Sequence, residues 1–126
     1  MKYRLYYIKC CLFHSVLSLS FGFAIYLFFR DNTYIHRIIG QYLSIPFLGD
    51  FDFFGIHFFR YYLVDGLWAY SLTFALSAFI NQRTAAVISS LFGIWYEFLQ
   101  MLHIVNGTFD FIDCIMYLSS SLLAVM

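Results

Sequence analysis

Four long stretches of the chain are dominated by apolar residues, and short polar interruptions separate them. The first covers 10–29, behind Lys2, Arg4 and Lys9. The second covers 61–80 and stops at Asn81-Gln82-Arg83; the third covers 84–102 and leads to a turn at Asn106-Gly107; the fourth covers 110–126. About 20 residues at a rise of about 1.5 Å cross a hydrocarbon core of about 30 Å, so the first three have the length of transmembrane helices. The fourth is close to the lower limit of about 17 residues, and is expected to tilt little or to lie partly buried against the others. The first stretch exceeds the apolar core of about 7–15 residues found in a signal peptide, and no convincing small-residue cleavage site follows it. It reads as a first transmembrane helix.

The connection over 30–60 differs. It carries Arg30, Asp31, Arg37, Asp50, Asp52 and Arg60 among aromatics, and Pro46 and Gly49 divide it. Within 34–43, Ile35, Ile38, Ile39 and Tyr42 fall on one helical face, opposite His36, Arg37 and Gln41. That pattern predicts an amphipathic helix lying in the membrane interface, and Asp50 can cap a second short helix that follows.

Composition turns this pattern into a class. Of 126 residues, 63% are hydrophobic and 11% charged, where soluble domains carry about 25% charged residues. A chain this short cannot enclose so much apolar surface in a water-facing core. The expected fold is therefore all-α: a single domain over 1–126, an integral membrane bundle of about four transmembrane helices with the interfacial segment between the first two. Seven Lys and Arg balance seven Asp and Glu, which excludes the basic stripe of a nucleic-acid binder. Cys10, Cys11 and Cys114 form no Cys-x-x-Cys or Cys/His ligand spacing, so neither zinc nor a disulfide is expected, and no cofactor motif is present. Lys2, Arg4, Lys9 and Arg83 fall on one side of the membrane and Arg30, Arg37 and Arg60 on the other. The excess of basic residues places both termini in the cytoplasm.

Alternation of the spans brings the start of the second, the end of the third and the start of the fourth to one membrane edge. Those places hold Asp65, Glu97, Gln100, Asp110 and Asp113, flanked by His57, Arg60 and His103. Glu97 and Gln100 share a helical face with Gly93, and Asp110 and Asp113 share one with Tyr117. An ionisable side chain near the bilayer centre costs about 2.5 kcal/mol or more and usually points inward, which makes each a candidate functional group. Asp110 also suits an N-cap with Asp113 at the third helical position, where the helix dipole favours both. Glu97 has no cation within a turn; its charge is removed by a proton or balanced from another helix, with Arg60 the expected partner. His14 reads as a core histidine, and Asn106-Gly107-Thr108 as turn chemistry more than a glycosylation site.

Glu97-x-x-Gln100 followed by Gly107-Thr108-Phe109-Asp110-x-x-Asp113, together with the segment from Tyr62 to Tyr70, resembles the VanZ-like family of small polytopic bacterial membrane proteins. The resemblance covers roughly residues 60–120 and implies that Glu97, Gln100, Asp110 and Asp113 are the family's polar positions. The founding type is associated with lowered susceptibility to a glycopeptide antibiotic. The chain departs from the pattern: 101–109 contain no arginine, and the Asp-Lys-x-x-His signature before the second span is missing, though Asp52 and His57 lie nearby. What the resemblance implies is a multi-pass protein of the bacterial cytoplasmic membrane. It would bind a polar lipid headgroup, a lipid-linked cell-wall precursor or a glycopeptide-like drug at the outer face, alone, as a homo-oligomer or within a larger membrane complex. Two other classes compete. One is a membrane enzyme working on a lipid-linked substrate through its carboxylates, although no Ser/His/Asp set, zinc-protease motif or phosphate loop is present. The other is a cation or proton pathway or a small structural subunit.

Overall fold

In the computed structural model, which describes residues 2–30, 34–39, 41, 42 and 55–126, all regular structure among the described residues is helical. Helix α1, Lys2–Phe29, begins well before the apolar stretch it contains, because residues 2–9 hold neither glycine nor proline to stop it. Helix α2, Tyr34–Ile39, covers part of the expected interfacial segment, and the chain turns after it at Gln41 and Tyr42. Pro46, Gly49 and the proposed cap Asp50 lie outside the described residues.

A π-helical turn, Phe58–Tyr62, begins three residues before the second apolar stretch and runs directly into α3, Leu63–Ser77. Helix α4, Gln82–Met101, starts where the Asn81 side chain accepts a hydrogen bond from the Arg83 N–H at 2.9 Å. It ends at His103, whose φ of 56° is left-handed. There the His103 N–H donates to the Gln100 carbonyl and the Ile104 N–H to the Leu99 carbonyl, a Schellman close that satisfies the last carbonyls. Helix α5, Phe111–Leu123, is capped by Asp110, whose Oδ1 accepts from the Ile112 N–H at 2.8 Å.

Helix α3 is central and packs against α1, α4 and α5. Successive long helices are antiparallel: His14 stacks on Phe74 while Phe29 meets Phe59, and Gln82 reaches the Ala124 carbonyl while Glu97 meets Asp110. His14 itself is exposed on α1, so the expectation of a core histidine is corrected: its ring covers Phe74 from outside, 4.9 Å between centroids.

The packing surfaces are small and polar. Ser71 Oγ donates to the Ser15 carbonyl at 2.9 Å, joining α3 to α1, and Ser89 Oγ donates to the Ala69 carbonyl at 2.9 Å, joining α4 to α3. Gly66 on α3 lies under Ser120 of α5, where an added Cβ would come within 2.7 Å of Oγ. Many large apolar side chains face outward instead; Leu91 and Leu122, for example, are 60% and 64% exposed. Among the described residues one helix, α1, is long and apolar enough over Tyr3–Phe29 to cross a membrane by length and composition.

Candidate binding cavity

The antiparallel order gathers the C-terminal end of α1, the π-turn and start of α3, the end of α4 and the start of α5 at one end of the bundle. A cavity of about 630 Å³ opens there. Asp65, Glu97, Asp110 and Asp113 line it, with Gln100, His57 and Tyr117. The remaining wall comes from Tyr26 and Arg30 on the α1 side, Tyr61, Tyr62 and Tyr96, and the loop residues Asn106, Gly107 and Thr108. Arg60 and His103, expected beside the cluster, are not among the lining residues. Arg60 sits half-buried on the π-turn, and His103 is the exposed residue that closes α4.

Glu97 is the centre of the construction, 2% exposed. One oxygen, Oε2, accepts from the Asp110 backbone N–H at 3.1 Å; the other, Oε1, accepts from the Tyr117 hydroxyl at 3.4 Å. Both partners come from α5 or its cap, so the expected pairing with Arg60 gives way to two hydrogen bonds from the neighbouring helix. Tyr117 reaches Glu97 because its ring lies on Gly93, where a Cβ would come within 2.5 Å of Cγ. Gly93 and Glu97 are one turn apart on α4, which explains why the ring and the hydroxyl meet the same helix face.

The α5 cap uses a division of labour. In an ordinary capping box the side chain at the third helical position returns to the cap residue's N–H. Asp113 occupies that position, yet the Asp110 N–H is taken by Glu97. Asp113 is thereby left for the cavity, and its Oδ1 is buried with no hydrogen-bond partner. Asp110 serves two sides: Oδ1 caps the helix while Oδ2 accepts from the Tyr62 hydroxyl at 3.1 Å.

Arg30 brings a guanidinium to this acidic wall. It lies over the rings of Tyr26 and Tyr61, 5.4 and 4.8 Å from their centroids, which holds it by cation–π attraction. Gln100 packs against Gly107, whose φ of 143° and missing side chain let the loop cross close over the amide. Among the described residues no three His, Cys, Asp or Glu side chains are close enough together to hold a metal ion. The carboxyls instead surround the space, an arrangement suited to an extended organic group with several donors.

Some of the wall has a signal in the sequence. Arg30 ends the first span and must reach the same edge as Asp65, and Tyr62 is one turn before Asp65. Tyr61 and Tyr96 have none, because their positions depend on the π-turn and on helix rotation. Fold and cavity together define a helical bundle with small residues inside, apolar residues outside and an acidic, tyrosine-rich pocket at one end. No family model, curated protein or solved structure matches the chain.

Proposed function

We propose that the chain is a multi-pass membrane protein whose end cavity binds the polar headgroup of a membrane amphiphile. The observation that carries this is the convergence of Asp65, Glu97, Asp110 and Asp113 with Arg30 on one cavity, at the end of a bundle with an apolar exterior. Interior Ser, Thr, Ala and Gly with exterior Leu, Phe and Trp is the distribution expected where lipid is the solvent. Helix α4 has 20 residues, about 30 Å. Its average apolarity is lowered by Ser89, Ser90 and Glu97, which are buried in the bundle. The π-turn and α3 run on without a break over 58–77, long enough for a second crossing, and α5 completes the bundle with 13 helical residues.

Lys2, Arg4, Lys9 and Arg83 lie at the opposite end from the cavity. By the positive-inside tendency both termini are cytoplasmic and the cavity opens at the outer face. The resemblance to VanZ-like proteins supports the bacterial cytoplasmic membrane as the location. It also supports an envelope role, in which the ligand is a lipid headgroup, a lipid-linked wall precursor or a glycopeptide-like drug.

Native mass spectrometry of the protein purified from its membrane tests the reading. Wild-type protein should retain an amphiphile that Glu97→Gln and Asp113→Asn release at unchanged membrane levels. Equal retention by wild type and both variants, or none by any, sinks it.

A further inference from the structure

The polar cavity adjoins an apolar groove of about 510 Å³ between α1 and α3. Tyr26 lines both, and Val64 of the groove directly precedes Asp65 of the cavity. Gly22 lines the groove where α1 packs closely on α3, a Cβ there falling 3.5 Å from Leu67 Cβ, and Leu19, Phe23 and Trp68 form its walls. Resting on the binding reading above, we infer that the occupant is an amphiphile with an ammonium headgroup. The ammonium sits among the carboxyls and the hydrocarbon leaves along the α1–α3 groove.

Two observations point to an ammonium. The cavity wall carries four carboxyl side chains and one guanidinium among the described residues, so a cationic donor relieves like-charge crowding that an anionic headgroup would worsen. The buried Asp113 Oδ1 also lacks a donor, and a group with three N–H bonds supplies one. A metal ion fits less well, because the carboxyls are spread around the space. Continuity through Tyr26 fixes where the tail goes, since a headgroup near Asp65 has Val64 and Gly22 beside its first carbons.

A second apolar groove provides an internal control. It lies between α4 and α5, has about 530 Å³, and is walled by Val87, Leu91, Ile94, Leu118 and Leu122. It shares no lining residue with the polar cavity. The full chain in phosphatidylglycerol vesicles would be exposed to hexadecylamine carrying a mid-chain diazirine, irradiated, and its adducts mapped by mass spectrometry. Comparing the two grooves within one molecule cancels partitioning of the probe into the bilayer. The amine should label the α1–α3 groove about tenfold more than the α4–α5 groove, the discrimination of one charge-assisted hydrogen bond. Hexadecanol with the same diazirine should label the two grooves about equally, and hexadecyl sulfate should label the α1–α3 groove no more than the α4–α5 groove. Asp113→Asn should abolish the preference of the amine, and Val64→Trp, which fills the groove while sparing the carboxyls, should do the same.

Equal labelling of both grooves by the amine overturns the inference, as does an equal preference shown by the alcohol or the sulfate. If the amine shows no preference while purified wild-type protein still retains an amphiphile that Asp113→Asn releases, the binding reading stands and the ammonium inference falls. If no amphiphile is retained either, both fall together.

Discussion

Gly93→Ala is the sharpest probe of how the cavity is built. The added Cβ would lie 2.5, 2.6 and 2.9 Å from three ring atoms of Tyr117. Carbon atoms prefer separations of about 3.5–4.0 Å, so the ring must retreat by about 1 Å. It has little room, being 4% exposed between α4 and α5. Retreat also lengthens the 3.4 Å hydrogen bond from its hydroxyl to Glu97 Oε1, which would then be buried without a donor. Overpacking costs about 1–3 kcal/mol and an unsatisfied buried acceptor about 1–3 kcal/mol. Partial relaxation of the helix pair brings the expected total to about 2–4 kcal/mol. Unfolding in mixed detergent micelles, followed by circular dichroism, measures it. The same substitution in a Tyr117→Leu background should cost less than about 1 kcal/mol, because the clashing ring is gone, and the difference isolates the Gly93–Tyr117 coupling. A cost below about 0.5 kcal/mol in the wild-type background, or equal costs in both, would refute this account of the α4–α5 seam.

Gly107→Ala meets two penalties, a φ of 143° and a Cβ placed 2.6 Å from the Gln100 amide carbon. It should destabilise by about 1–3 kcal/mol and weaken amphiphile retention by shifting Gln100, as native mass spectrometry would show. His103→Gly should act in the other direction. A left-handed φ suits glycine, so melting should rise by the equivalent of about 0.5–1 kcal/mol with retention unchanged; a loss of retention would return His103 to the binding machinery. Ser71→Ala removes the Ser71–Ser15 link between α3 and α1. It should cost about 0.6–1.7 kcal/mol by the same unfolding assay, with no cost meaning that packing alone joins these helices.

What the sequence discloses here depends on the range of the interaction. Helical stretches are legible because apolar length and the polar breaks at Asn81 and Asn106-Gly107 are local. The Asp110 cap is legible for the same reason, since it bonds two residues ahead to Ile112. The convergence of Asp65, Glu97 and Asp113 follows from alternation of the helices, and alternation also carries Arg30 to that edge. The π-turn is not legible: Phe58–Tyr62 is as apolar in a π-turn as in an α-helix, and only packing selects between them. Helix-averaged hydropathy does not show how α4 is turned, because an average cannot tell an inward Ser89 from an outward Leu91.

Glu97 and Asp113 show most clearly why spacing alone falls short. From spacing, Asp113 is the residue with a structural task, at the third position of a capped helix, and Glu97 is the residue without one. The fold reverses them. Helix α4 brings Glu97 beside the start of α5, where it takes the Asp110 N–H that a capping box would give to Asp113. A carboxyl from a helix already in place needs no contortion of the first turn of α5, so the tertiary partner displaces the local one. Asp113 is thereby released, half-buried on the cavity wall with one oxygen unpartnered. A buried acceptor left open costs about 1–3 kcal/mol, and a bound donor would recover that cost. Substituting Glu97 therefore disturbs the scaffold first and the proposed ligand second, whereas Asp113→Asn addresses the proposed ligand with the scaffold intact.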